Sequence, residues 1–371
     1  MNTSITKYNC ICNIGRNINE VYENAINGVC DKFSYRRDII NGKTLCVGEV
    51  KDNDIKIENP DYNLKCNRLL WECYLPLKGY IDSLIKNYGK TRIGIVVATT
   101  NTGVDEYEVS HNKTHSEIGN PAMFLKDALG LKGYAAGVST ACTSGIKAFA
   151  IADNLIKSNF ADAVIVAGSD TLSKVPLFGF TSLEVLSDKK TNPLSKNRSG
   201  INIGEGAAVF TVEKNSKGIN ILGIGETTDT YHSTTPDPEG KEAKRAIELA
   251  LNHSGIKPDE IDYINLHGTG TIANDLSESN AVYEFFPNTF ASSTKPLTGH
   301  CLGAAGSVET ALCCALLENG GYYPHVYDGE YDSTIPKLNI TKPPEKTNIC
   351  MTNAFGFGGA NAIMILGGNN E

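Results

Sequence analysis

Two stretches of this chain are too apolar to lie on a surface. Residues 146–156 include Ile146, Phe149, Ala150, Ile151, Ala152, Leu155 and Ile156, and residues 302–317 begin with glycine and alanine and continue as apolar. A helix without a polar face is stable only when protein covers it on every side, so each of these belongs at the centre of a large molecule. With 371 residues, 41% of them hydrophobic and 20% charged, the chain suffices for one large α/β unit or two domains.

Buried-strand signals surround these helices. Residues 92–99, 163–168 and 206–212 are strand-like in the first part, and residues 219–224, 261–266 and 360–366 in the second. The Gly-rich bend at 204–206 is echoed at 358–359, and each apolar helix follows small residues. The echoes predict two similar α/β halves, residues 1–213 and 214–371, divided at the polar stretch 214–218, with mixed sheets covered on both faces. Helical periodicity is expected over 69–86, 121–129, 178–186 and 241–254, while 29–60 reads as irregular and 104–120 is polar and unplaced.

The chemistry starts at Cys142, set among side chains no larger than threonine just before the first apolar helix. Thr140, Thr143 and Ser144 offer hydroxyls to the helix's first turn, and its free N–H groups favour an anion. Lowering a thiol by about 1.5 pKa units takes about 2 kcal/mol, whereas a helix end supplies roughly 0.3–1 kcal/mol. A nucleophilic Cys142 therefore needs histidine help, and a packed core cysteine is the ordinary alternative. Eleven cysteines, an odd number with no C-x-x-C pair, point to reduced thiols rather than disulfides or zinc. A net charge of −8 argues against nucleic-acid binding. No apolar run approaches about 18 residues and the first residues lack a signal-peptide pattern, so a soluble cytoplasmic protein off the membrane is expected.

Three further motifs follow. His267-Gly268-Thr269-Gly270-Thr271 ends a buried strand, where α/β sites collect. Lys295-Pro296-Leu297-Thr298-Gly299-His300 leads into the second apolar helix, and Asn353-Ala354-Phe355-Gly356-Phe357-Gly358-Gly359 precedes the last strand. Glu278, three residues after Asp275, reads locally as part of a capping box.

With Thr140-Ala141-Cys142-Thr143-Ser144-Gly145, these motifs stand in the order found in β-ketoacyl-acyl carrier protein synthases. The chain resembles the elongating type I and II enzymes of the thiolase-like superfamily over nearly its whole length. The resemblance implies a five-layered αβαβα fold from two duplicated halves, usually a homodimer. It implies decarboxylative condensation in fatty acid or polyketide chain elongation. No tightly bound cofactor or metal is implied, since the substrate arrives on phosphopantetheine of an acyl carrier protein. Cys142 is similar to the family's acyl-accepting nucleophile, and His267 and His300 to its pair of hydrogen-bond donors. Lys295 with Glu278 resembles the family's Lys–Glu pair. The amides of Cys142 and Phe355 would form the oxyanion hole. Thr269 and Thr271 look like pantetheine contacts, Phe355 like the gate to the acyl pocket, and Phe357 and Phe180 like substrate-binding neighbours.

The chain also departs from the family. It is shorter between Gly103 and Pro121, where the acyl pocket and subunit interface are shaped. Ser195 and Ser199 replace acidic residues, and Glu184 stands where a carrier-binding arginine is frequent. Carrier proteins are acidic, so docking needs local cations, for which Lys65, Arg68, Lys189, Lys190 and Arg198 are candidates. Two alternatives stand beside the condensing enzyme. A thiolase needs a second cysteine in the last Gly-rich motif, which has none. A subunit of a heterodimeric polyketide or polyene synthase is the other, either a non-catalytic chain-length factor, which lacks the nucleophile this chain keeps, or the catalytic chain paired with one.

Overall fold

The computed structural model describes residues 3–53, 55–214 and 217–368. Residues 215 and 216 of the expected boundary lie outside them. Ten strands pair continuously: β1 (Thr3–Cys12), β2 (Ile93–Ala98), β3 (Ala135–Val138), β4 (Ala163–Asp170), β5 (Gly206–Lys214), β6 (Ile219–Thr228), β7 (Tyr263–Asn265), β8 (Phe290–Ser292), β9 (Ile349–Phe355) and β10 (Ala360–Gly367). Their order is β3-β2-β4-β5-β1 and then β6-β10-β9-β7-β8. Counted from either outer edge, the second half repeats the first with every number raised by five. Strand directions repeat too, since β2 is parallel to β3 and β4 as β7 is to β8 and β9. Within the ten-stranded sheet the two halves meet where Thr3–Ile5 pair with Ile219–Ile221.

The helices that cover these strands are α1 (Ile18–Ile26), α2 (Lys65–Tyr74), α3 (Lys78–Tyr88), α4 (Asn120–Ala128), α5 (Ser144–Lys157), α6 (Lys241–Ser254), α7 (Ile272–Phe285) and α8 (Ala305–Asn319). The two apolar segments are α5 and α8. They touch each other and strands of both halves, α5 reaching β2, β4 and β10, and α8 reaching β9, β5 and β1. Outside lie α2, α3 and α4 on the first half and α6 with α7 on the second. The result is the thiolase-like α/β fold of five layers, with Ala305 to Leu316 all buried in the middle one.

Glycines set how closely the central helices approach. A Cβ on Gly145 would stand 2.4 Å from the Ser307 amide nitrogen, and one on Gly306 would stand 3.1 Å from that of Ile146. Only hydrogens fit there, so the two helix N-termini meet backbone to backbone. That contact brings the Cys142 turn beside the loop carrying His300.

Local details differ from the sequence expectation for identifiable reasons. The periodic stretch 69–86 is two helices, because Pro76 lacks an N–H and the chain passes through a 3-10 turn at Leu75–Leu77. The helix expected at 178–186 spans Lys174–Ser182 and stops where Glu184 turns left-handed at φ 57°. The irregular region contains a ribbon pairing Ser34–Arg36 with Leu45–Val47. The unplaced polar stretch folds as a helix at Val104–Ser110 and a 3-10 turn at Lys113–Ser116.

Candidate active site

Cys142 sits in a tight turn just ahead of α5, where Ala141 adopts φ 54°. Ser144 Oγ accepts from the Thr140 amide at 2.8 Å and donates to the Ala141 carbonyl at 2.6 Å. Thr143 Oγ1 donates to the Thr140 carbonyl at 2.6 Å. These hydroxyls brace the turn instead of capping the helix's first amides, which leaves those donors near the sulfur. Burial nevertheless pushes the Cys142 thiol up to about 11, against the opposing pull of Lys295 and of the Phe357 amide. From the sequence the helix end favours an anion but is too weak alone; in the folded protein desolvation outweighs the helix end and the cation together.

His267 follows β7, and its loop is pinned by Glu278. The two Glu278 oxygens accept from the His267 and Gly268 amides, both at 2.7 Å, and Asn353 Nδ2 adds a third donor at 3.0 Å. Glu278 is therefore neither the partner of Lys295 nor a capping-box residue. The cap of α7 is Thr271, which accepts from the Asn274 amide. The carboxylate on Lys295 is that of Glu309, 2.5 Å from Nζ and equally buried. Glu309 is the one charged residue in the otherwise apolar 302–317 segment. That lone charge is the sequence signal that could have found it.

Hydrogen bonding decides the histidine tautomers. The Leu302 amide donates to His300 Nδ1 at 2.8 Å, so that ring must carry its proton on Nε2. Lys295 Nζ, held by Glu309, lies 3.3 Å from His267 Nδ1. An ammonium only donates, so His267 also carries its proton on Nε2. Burial first, and the Lys295 charge second, hold both imidazoles well below the usual histidine range, so both are neutral at neutral pH. The rings stand edge to face with centroids 5.3 Å apart. A ring nitrogen of each lies within 4.8 Å of the other and of the Cys142 sulfur. His300 Nε2 is buried and has no hydrogen-bond partner. Cys, His and His form a plausible metal set by composition, but a protonated Nε2 cannot ligate and neither Nδ1 can take the proton instead. The arrangement is two N–H donors aimed at one point beside a thiol.

A cavity of about 380 Å³ opens onto this point, lined by Cys142, His267, His300, Thr269, Thr271, Phe355 and Phe357 among others. Phe355 packs edge-on against His267, centroids 5.9 Å apart. Phe357 packs on Phe180 at 5.3 Å. The amide that reaches the Cys142 sulfur is that of Phe357, two residues beyond the Phe355 amide expected from sequence. Three expected docking cations are committed elsewhere. Lys65 pairs with the buried Glu205 at 2.7 Å, Arg68 with Asp52 at 2.5 Å, and Arg198, itself buried, with Asp332 at 2.6 Å. Lys189, Lys190 and Glu184 are exposed, and Glu184 lies at the cavity wall.

Among the described residues no helix is long and apolar enough to cross a membrane. Residues 86–218 match the family model described as beta-ketoacyl synthase, N-terminal domain, and residues 219–327 the model described as beta-ketoacyl synthase, C-terminal domain. The 3-oxoacyl-[acyl-carrier-protein] synthase 2 of Staphylococcus aureus (strain N315) is 27% identical over 97% of this chain and 97% of that protein. The enzyme of that name from Coxiella burnetii is 34% identical over 64% of this chain and 62% of its own. Among solved structures, a ketosynthase in complex with its chain length factor from Xenorhabdus doucetiae superposes with a TM-score of 0.94 at 36% identity, covering 99% of this chain and 98% of that one. The ishigamide ketosynthase/chain length factor shares the fold, with a TM-score of 0.85 at 22% identity over 100% of this chain and 99% of that one. The chain belongs to the beta-ketoacyl synthase family of acyl-transferring condensing enzymes.

Proposed function

We propose that this protein joins an acyl group held on Cys142 to a malonyl unit carried by an acyl carrier protein, releasing CO2 and 3-oxoacyl-carrier protein. The observation that carries the reading is the pair of Nε2–H donors within reach of one thiol. In the first step the Cys142 sulfur attacks the incoming thioester, and its proton leaves with the displaced pantetheine thiol, so no net base is consumed. In the second, the malonyl carbon–carboxylate bond breaks and its electron pair moves onto the thioester oxygen. His267 and His300 donate to that oxygen, stabilising the enolate without gaining or losing a proton. The enolate carbon then attacks acyl-Cys142, whose oxyanion is held by the Cys142 and Phe357 amides, and the thiolate leaves and is reprotonated.

In this reading residues 1–213 supply the nucleophile and residues 214–371 the two donors. The cavity takes the phosphopantetheine arm, with Thr269 and Thr271 beside it, and the exposed Lys189 and Lys190 are the cations left for an acidic carrier protein. Eleven free cysteines suit a reducing compartment such as the cytoplasm. A paired subunit is also supported. Strand β3 is an outer edge, paired on one side only, and Met123, Tyr134 and Phe160 are exposed around it. The similar Xenorhabdus ketosynthase was solved with a chain length factor, which favours a heterodimer in polyketide or polyene assembly over a homodimer. Light scattering of the chain purified alone and with a co-expressed factor separates the two.

Intact-protein mass spectrometry after incubation with acyl carrier proteins of graded chain length tests the chemistry. A gain of the acyl mass localised to Cys142 is expected, and Cys142→Ala should lose condensation while still decarboxylating malonyl carrier protein. Full condensation by that variant refutes the reading.

A further inference from the structure

The carboxylate of Asp170, at the end of β4, is fully buried and forms no ion pair among the described residues. Five groups donate to it instead. Thr99 Oγ1 and Thr100 Oγ1 lie at 2.7 and 2.8 Å, the Thr100 and Asn101 amides at 2.9 and 3.2 Å, and the Gly303 amide at 2.7 Å. Thr99, Thr100 and Asn101 follow β2, in the half that holds Cys142, whereas Gly303 belongs to the loop that carries His300. Asp170 thus bolts the two halves together beside the site. The fit has no slack, because a Cβ on Gly303 would stand 2.8 Å from Asp170 Oδ2.

The bolt bears on Leu302, the residue between. Leu302 has φ 55°, the left-handed region that an L side chain enters only at a cost. In that conformation its amide points at His300 Nδ1, 2.8 Å away. We propose that Asp170 is a positioning residue: by gripping Gly303 it keeps Leu302 left-handed and so fixes His300 with its proton on Nε2. Without that grip Leu302 relaxes, its amide turns from Nδ1, and the proton redistributes. A lone pair then faces the point where the developing oxyanion needs a donor. The consequence for catalysis rests on the role of His300 given above.

The test reads the tautomer directly, in protein labelled with 15N-histidine, taking the His300 signal as the one missing in His300→Asn. Wild type should show the Nε2–H form alone, and Asp170→Asn a mixture. The double variant Asp170→Asn/Leu302→Gly should return to the wild-type signal, because glycine takes a positive φ freely. Malonyl-thioester decarboxylation should fall about tenfold in Asp170→Asn, the size of a left-handed penalty, and recover in the double variant, with acylation of Cys142 unchanged throughout. A wild-type signal in Asp170→Asn, or no recovery on adding Leu302→Gly, overturns the proposal. If Asp170→Asn does not fold, Thr99→Val/Thr100→Val strips both hydroxyls from the same carboxylate and must move the signal the same way; an unmoved signal overturns it. Should the tautomer respond as expected while decarboxylation stays constant, the device stands and the role assigned to His300 falls.

Discussion

Replacing Gly145 by alanine tests whether the two central helices meet as closely as the site requires. The added Cβ would stand 2.4 Å from the Ser307 nitrogen and 2.7 Å from the Gly306 carbonyl carbon, against an ordinary contact of 3.4 Å or more. Both neighbours are backbone, so α5 and α8 must part by about 1 Å. Overpacking of this kind costs about 1–3 kcal/mol, and an obstacle that cannot rotate away belongs at the upper end. Alanine's better helix propensity returns at most about 1 kcal/mol. For 371 residues the unfolding entropy is about 0.8 kcal/mol per degree, so a net loss of about 2 kcal/mol lowers Tm by about 2–3 °C. The chemistry should suffer more. Cys142 rides on one helix and His300 leads into the other, and a misplacement of about 1 Å costs on the order of a hundredfold in rate. Scanning calorimetry and the steady-state condensation rate give the two numbers. Gly79→Ala, in α3 with nothing within 4 Å of its added Cβ, is the control and should leave Tm level or slightly raised. If Gly145→Ala matches that control in both Tm and rate, the backbone-to-backbone packing and the distance argument built on it are wrong.

Three other outcomes follow from buried charge. Lys295→Met leaves the Glu309 carboxylate buried and unpaired and should cost about 3–5 kcal/mol in denaturant unfolding, whereas adding Glu309→Gln should recover part of it; additive losses would break the pairing. Decarboxylation should show no limb near pH 6.5, because His267 and His300 stay neutral well below it; a rate falling with a midpoint at that pH contradicts neutral donors. Burial pushes the His325 imidazole down to about 4, below its unfolded value. It binds its proton more weakly when folded, so its contribution is complete above pH 6.5 and is lost as pH falls through 4. The loss is about 3 kcal/mol at about 1.4 kcal/mol per unit, and a pH series of melts on His325→Gln should lack that share of the acid slope.

Much of the architecture was legible because it rests on local pattern. A helical segment apolar almost all round has one stable location whatever its neighbours, so residues 146–156 and 302–317 identified the middle layer directly. The repeated order of strand signals and Gly-rich bends reported the duplication that the strand order displays. Where expectation and structure part, the deciding quantity was a partner or an environment. Lys295 chose Glu309 over Glu278 because α8 packs against its loop, while Glu278 is occupied by the His267 and Gly268 amides. Lys65, Arg68 and Arg198 looked available for an acidic partner, yet each already holds a carboxylate, Lys65 and Arg198 from distant parts of the chain.

The order of residues alone settled which segments are interior, that the plan is used twice, and which cysteine and histidines accompany the small-residue turns. Those follow from hydropathy, backbone sterics and side-chain chemistry, all carried by neighbours in sequence. Packing alone settled that the thiol rests protonated, that the Phe357 amide lies against it, and that both imidazoles present Nε2–H. Proton location and charge pairing depend on desolvation and on donors a few ångströms away, and residues such as Asp170 and Gly303 become neighbours only when the two halves close.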